Sequence, residues 1–320
     1  MLRLNSPFEL LPIFRERVWG RNTLAPYFPE ELRRPDQPRN VPIGEIWFTF
    51  SENPTSLDKT LGEILTAHPE ILGDACNSQY GTLCPILVKL LFTTERLSVQ
   101  VHPADDYARE YHDSLGKTEA WYVLDSQPPG EVAVGFREPL LPDRLAEVAR
   151  TGEIAEMLDW RQVRRGDVIF TPAGTVHAIG AGLTICEIQQ NSDITYRLYD
   201  YGRPRELHLE HGAKVSHLGP HEHEATPRVL SPGRDELVAC SYFRIERIRP
   251  RTGFEMESGL PHYMIAICVE GAGEVDGEAA RAGQAWFIPA RGDRVRVSSA
   301  DSEWILTYAA PQPAEGIRVW

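Results

Sequence analysis

The chain has 320 residues, 42% hydrophobic and 25% charged, with a net charge of −13. That length suggests two domains, or one with a sizeable insertion, and the composition supports a well-buried core. The acidic balance excludes nucleic acid and anionic membrane as partners, because each requires a basic face.

No apolar run approaches the length needed to span a bilayer. The short patch Leu10 to Phe14 is bracketed by Glu9 and Arg15 and lacks a small-residue cleavage site, so no leader peptide is expected. The five cysteines (Cys76, Cys84, Cys186, Cys240, Cys268) are widely spaced and odd in number. They read as buried free thiols in a reducing cytoplasm. An anionic substrate would need a local positive pocket against the unfavourable overall field. Only four of the 33 basic residues are lysines: Lys59, Lys89, Lys117 and Lys214.

In chain order, Ile43–Phe50 reads as a strand, and about 57–76 carries spaced apolar residues that fit one or two short helices. Strands follow at Ile86–Phe92, Leu97–Val101, Ala120–Leu124 and Val132–Phe136. A second helical insertion covers about 139–160, broken near Gly152. Further strands are expected at Val168–Thr171 and Leu183–Gln189. Regular short strands with Gly/Pro turns predict a mainly β fold, a sandwich or barrel with helical insertions. Gly202 to Arg234 is rich in His, Pro, Glu and Gly and reads as a long connection, and Leu237–Tyr308 is strand-like throughout. Two units result, 1–225 and 226–320.

A short internal repeat links them. Gly166-Asp-Val-Ile-Phe-Thr-Pro-Ala-Gly resembles Gly283-Gln-Ala-Trp-Phe-Ile-Pro-Ala-Arg-Gly. The first copy continues to His177; the second reaches Arg294 and Val295 at that place.

Four polar residues stand at strand positions where apolar ones are expected. Gln100 and His102, two apart in Leu97-Ser-Val-Gln-Val-His-Pro, share one face of their strand. Glu119 leads into an apolar strand, where a carboxylate is costly unless paired or metal-bound. His177 follows the turn Pro172-Ala-Gly-Thr. Two imidazoles, a carboxylate and an amide oxygen suit Zn²⁺ and accept Mn²⁺, Fe²⁺ or Co²⁺. By spacing alone, a shared metal and four separately hydrogen-bonded core residues stand equally.

Gln-Val-His-Pro, Gly116-Lys-Thr-Glu-Ala-Trp-Tyr, the first repeat copy through His177, and Asn191-Ser-Asp-Ile-Thr-Tyr-Arg-Leu-Tyr-Asp-Tyr-Gly-Arg resemble type I phosphomannose isomerase in its short bacterial form. Val18-Trp-Gly and Gly44-Glu-Ile-Trp are similar to the same family. The resemblance implies a cupin fold (double-stranded β-helix or jelly roll) for 1–225 and a degenerate cupin-like unit without ligands for 226–320. It implies one zinc ion on Gln100, His102, Glu119 and His177, and interconversion of mannose 6-phosphate and fructose 6-phosphate. It also places Arg197 and Lys117 beside the substrate, with Asp193 nearby.

Longer members carry a histidine just before the lysine, proposed to help open the sugar ring; here Gly116 stands there. Lys89, inside an apolar strand, either snorkels to solvent or meets the substrate anion. Asp193 either orients Arg197, takes part in proton transfer, or is a turn residue. His208, His211, His217, His221 and His223 read as a solvated loop rather than a second metal site. A cupin acting on another sugar phosphate, a cupin oxygenase and a non-catalytic sugar-phosphate sensor are the alternatives.

Overall fold

The computed structural model describes residues 3–29 and 39–320. Its strands form four antiparallel sheets. A six-stranded sheet runs Ile13–Arg21, Ile43–Trp47, Ile86–Phe92, Leu183–Gln190, Glu119–Ser126, Val168–Thr171. Facing it is a five-stranded sheet in the order Tyr196–Tyr199, Val99–Val101, His177–Ile179, Glu131–Phe136, Leu158–Gln162. Trp121, Val123, Leu91 and Ile185 of the first meet Val132, Val134 and Ile179 of the second in one buried cluster, the interior of a barrel. This is the cupin architecture that the motifs imply.

The short repeat marks a full duplication. The order Ile86–Phe92, Leu183–Gln190, Glu119–Ser126, Val168–Thr171 recurs as Arg244–Ile248, Glu303–Tyr308, Met264–Glu270, Ala285–Ile288. The five-stranded sheet recurs as Ile317–Val319, Gly253–Met256, Val295–Ser298, Ala272–Val275, Glu278–Arg281. Register then identifies equivalent positions. Gln100 pairs with His177 where Met256 pairs with Val295, and Glu119 pairs with Thr171 where Met264 pairs with Ile288. The second barrel therefore holds Met256, Met264 and Val295 in the places of Gln100, Glu119 and His177. All three are buried in an apolar cluster with Trp286 and Trp304, so that interior is closed by packing.

Strand parity explains how one strand serves two faces. In Ile86–Phe92, the side chains of Ile86, Val88, Leu90 and Phe92 enter the core between the barrels, with Ala120, Tyr122, Cys186 and Ile188. Leu91 turns inward with Trp121 and Ile185. Lys89, Glu119 and Glu187 share that inward parity. Because both faces are covered, these strands read as nearly continuous apolar runs, and the few charged residues that interrupt the inward row line the site.

The expected helical insertions form as Leu61–Ala67 with Asp74–Tyr80, and as Leu145–Thr151 with Ile154–Met157. Thr60 and Glu63 close a capping box on the first of these helices. Gly152, at φ +85°, ends Leu145–Thr151.

Three features differ from expectation. Asp105–His112 is helical although only Ala108 is buried in it, so it carries no apolar period to read. The expected connection 202–234 contains the helix Leu209–Val215, and His211 within it stacks on Tyr196 and bonds the Tyr107 hydroxyl at 2.8 Å. These histidines are thus partly docked, not uniformly solvated. Finally, Phe8–Leu10 lies far before the expected boundary near 225, yet it hydrogen-bonds to Ala285–Ile288 in the second barrel's sheet.

Candidate metal centre and substrate cavity

Strand pairing sets His177 opposite Gln100, and the chain leaving Val99–Val101 brings His102 beside them. Glu119 opens its own strand on the facing sheet and completes the group. Its Oε1 lies 3.2 Å from His177 Nε2 and its Oε2 3.4 Å from His102 Nε2. The ligand atoms of the three lie within 4.8 Å of one another. All three residues are at most 1% exposed.

Such burial would be costly without a further partner. His102 Nε2 and both Glu119 oxygens are buried with no hydrogen bond. Each histidine uses its other nitrogen: His102 Nδ1 donates to Ile194 O and His177 Nδ1 donates to Thr175 O, both at 2.9 Å. A carbonyl accepts only, so both rings carry the proton on Nδ1 and turn an Nε2 lone pair toward Glu119. Burial, with Lys117 and His177 nearby, holds His102 well below the ordinary imidazole range. Burial, partly offset by the Thr175 carbonyl, brings His177 to about 4. Burial raises Glu119, with Lys117 and Lys89 opposing. Two neutral imidazoles and a carboxylate whose oxygens accept no hydrogen bond are what a divalent cation fits.

Gln100 stands beside them with a qualification. Its nitrogen faces His177 Nε2 at 3.2 Å, and its oxygen accepts from the Ser98 hydroxyl at 3.1 Å. A half-turn of the amide exchanges the two atoms and offers the oxygen to the centre.

The histidine shifts carry a sign. Between the ordinary 6.5 of an unfolded His177 and its folded value of about 4, only the unfolded chain binds the proton. Metal-free protein should therefore lose stability as pH falls through that window, by on the order of 3 kcal/mol from this group. Urea melts of chelator-treated protein at about pH 7 and pH 4.5 should separate; identical midpoints would mean His177 is not buried neutral.

Beside the donors lies a cavity of about 460 Å³ to which Gln100, Lys117, Lys89, Asp193 and Arg197 all contribute. Its cations differ in their commitments. Lys117 Nζ is 3.5 Å from Glu119, Lys89 is 3.3 Å from Glu187, Arg17 is held by Glu45 and Arg205 by Asp200. Among the described residues Arg197 has no such carboxylate: Nη1 donates to Glu206 O, and buried Nε has no partner. Burial and the adjacent Arg205 lower its pKa, a cost that an incoming anion would relieve. Asp193 lines the same cavity, but the charges that act on Arg197 are those of Arg205, Asp200, Arg203 and Glu206.

Lys89 does not snorkel. It is 3% exposed, stands opposite Glu187 in register, and lies 4.7 Å over the Trp47 ring. Burial would discharge it, but Glu187 and Glu45 outweigh that and raise its pKa. Glu187 was not singled out from sequence, and Glu45 and Trp47 entered only within the motif Gly44-Glu-Ile-Trp. The available signal was that two central strands each carry one charged residue at the same inward parity, with opposite signs.

The family model for phosphomannose isomerase type I, catalytic domain, matches residues 8–136. The chain is 34% identical over 291 residues to mannose-6-phosphate isomerase ManA of Bacillus subtilis, covering 84% of this chain and 87% of that protein. It belongs to the type I phosphomannose isomerase family. A mannose-6-phosphate isomerase of Streptococcus mutans is 32% identical over 279 residues, 82% of this chain and 84% of the relative. A crystal structure of the mannose 6-phosphate isomerase from Bacillus subtilis superposes with a TM-score of 0.82 at 28% identity, covering 94% of this chain and 99% of that one.

For a type I phosphomannose isomerase, position 116 stands out. A Cβ built on Gly116 would lie 2.6 Å from Asp105 N and 2.7 Å from Ala104 C. The main chain after His102 fills the space, so this backbone has no room for a histidine there.

Proposed function

We infer that this protein is a metal-dependent aldose–ketose isomerase that interconverts mannose 6-phosphate and fructose 6-phosphate through an enediolate. The observation that carries this reading is a half-buried Arg197 without a carboxylate partner, in a cavity it shares with Gln100 and Lys117, beside a buried cluster in which His102 Nε2 and both Glu119 oxygens lack a hydrogen bond. A cupin oxygenase has no use for such a cation, and a mere sensor has no use for open donors.

We take the ion to be zinc, held by His102, Glu119, His177 and the Gln100 oxygen; when bound it supplies Lewis-acid polarisation of the substrate oxygens. The chain's own groups do the rest. Arg197, with two donors in a fixed plane, grips the phosphate or the enediolate charge. With Glu119 given over to the metal, Lys117 is left as a cavity-lining group able to exchange a proton with the substrate. Asp193 is the exposed carboxylate of the same wall and serves as its counterpart in moving the proton between C1 and C2. Lys89, clamped by Glu187, presents a fixed positive wall to the sugar phosphate.

In this reading residues 1–225 are the catalytic unit and 226–320 the ligand-free one. A cytoplasmic location accords with five free cysteines, and among the described residues no helix is long and apolar enough to cross a membrane.

A coupled assay of mannose 6-phosphate conversion, set against other aldose 6-phosphates, tests the assignment. Mannose 6-phosphate should be turned over most efficiently. No conversion by zinc-loaded protein would overturn it.

A further inference from the structure

Lys117 and Glu119 stand two residues apart on one short segment, and each side chain is committed to the site. That segment must therefore be held through its main chain, and the bonds that hold it converge. Gly116 N donates to Asp105 Oδ1 at 2.8 Å. Lys117 N donates to Pro103 O at 2.9 Å. Thr118 N donates to Gln190 Oε1 at 2.9 Å, and Gln190 N returns a bond to Thr118 O at 3.0 Å. The other end of that glutamine, Nε2, donates to the same Asp105 Oδ1 at 2.8 Å.

One carboxylate oxygen thus anchors the residue before Lys117 directly and the residue after it through Gln190. Asp105 is well placed for this because Pro103 tethers it three residues beyond the donor His102. The contact is also close. A side chain at 116 would collide with Asp105 N, so glycine lets the anchor approach.

Asp105 is half-buried and does not line the substrate cavity.

We infer that Asp105 is a positioning residue, acting through Lys117. This rests on the role given above to Lys117. Removing Asp105 orphans the Gly116 amide and the Gln190 side chain together, and frees the loop that sets Lys117. A displacement of about 1 Å at a catalytic group costs on the order of 10²-fold in rate.

The test uses zinc-loaded, full-length enzyme. Asp105→Ala should lower kcat about 10²-fold with KM and bound zinc unchanged. Asp105→Asn keeps an oxygen for Gly116 N and should restore kcat to within about fivefold of the parent. The double variant Asp105→Ala/Lys117→Ala should be no slower than Lys117→Ala, because the two act as one unit. Additive losses, or an Asn variant as slow as the Ala variant, would overturn the inference. Should Asp105→Ala fail to fold, Gln190→Ala, which removes the acceptor of Thr118 N, carries the test. It should lower kcat by about fivefold with KM unchanged, and add nothing in a Lys117→Ala background; an unchanged kcat refutes it. A fully active Lys117→Ala enzyme would instead remove the role of Lys117 itself. A slow Lys117→Ala with additive Asp105→Ala removes only the role of Asp105.

Discussion

Glu119→Gln should abolish isomerisation, by at least about 10³-fold, and should strip the protein of its metal while leaving the fold intact. The size follows from what is removed. A bound divalent ion contributes several kcal/mol of charge stabilisation in the transition state, and each 1.4 kcal/mol or so is a factor of ten. Glu119 is the only charged donor among the four, and its two oxygens face both imidazoles. Glutamine keeps the shape but supplies a neutral oxygen, so the ion loses its counter-charge. The apoprotein should tolerate the change, because burial already penalises the charged form of Glu119. Added zinc should then separate the proteins. A ligand at about 1,000 times its Kd stabilises the parent by roughly 4 kcal/mol, and the variant should show almost none of that rise in Tm. Parental zinc content with full activity in Glu119→Gln would mean that the cluster is not the metal centre.

Arg197→Ala should lower kcat/KM by about 10² to 10³-fold, the usual cost of removing one preorganised charge-stabilising donor. Bound zinc should stay at the parental level, because the guanidinium holds no side chain of the cluster; its Nη1 donor bond goes to Glu206 O. The division between the two kinetic constants assigns its task. A rise in KM alone points to the phosphate, which is held equally in the ground and transition states. A fall in kcat points to the enediolate, whose charge appears only during reaction. Relief of the buried, unpartnered Nε should leave Tm unchanged or slightly raised. Loss of zinc together with activity would show instead that Arg197 is structural.

Much of the site was legible because its chemistry conflicts with its setting. Gln100, His102 and Glu119 break apolar strands, and a strand's period of two says which face each must take. The short repeat added a contrast, since the second copy keeps the turn but puts Val295 where His177 stands. Hidden from such reading were groups whose costs cancel in pairs across strands. Glu187 balances Lys89 only because the antiparallel register sets them opposite, and register is a long-range property. Asp105 was missed for a similar reason. Its helix has almost no apolar face, and its bond to Gln190 spans a long stretch of chain.

By itself the sequence pointed to the candidate donors and determined the mainly β architecture, the helical insertions and the family, since each depends on residue type at short range. Tertiary structure alone decided that both histidines present Nε2, because the carbonyls of Ile194 and Thr175 that hold Nδ1 are set in place by the fold. It also decided which cavity cation is free. Lys89, Arg17 and Arg205 are each neutralised by a carboxylate, whereas Arg197 is not. Charge appears in a sequence, but its commitment to a partner depends on a distance of a few ångströms that only folding sets.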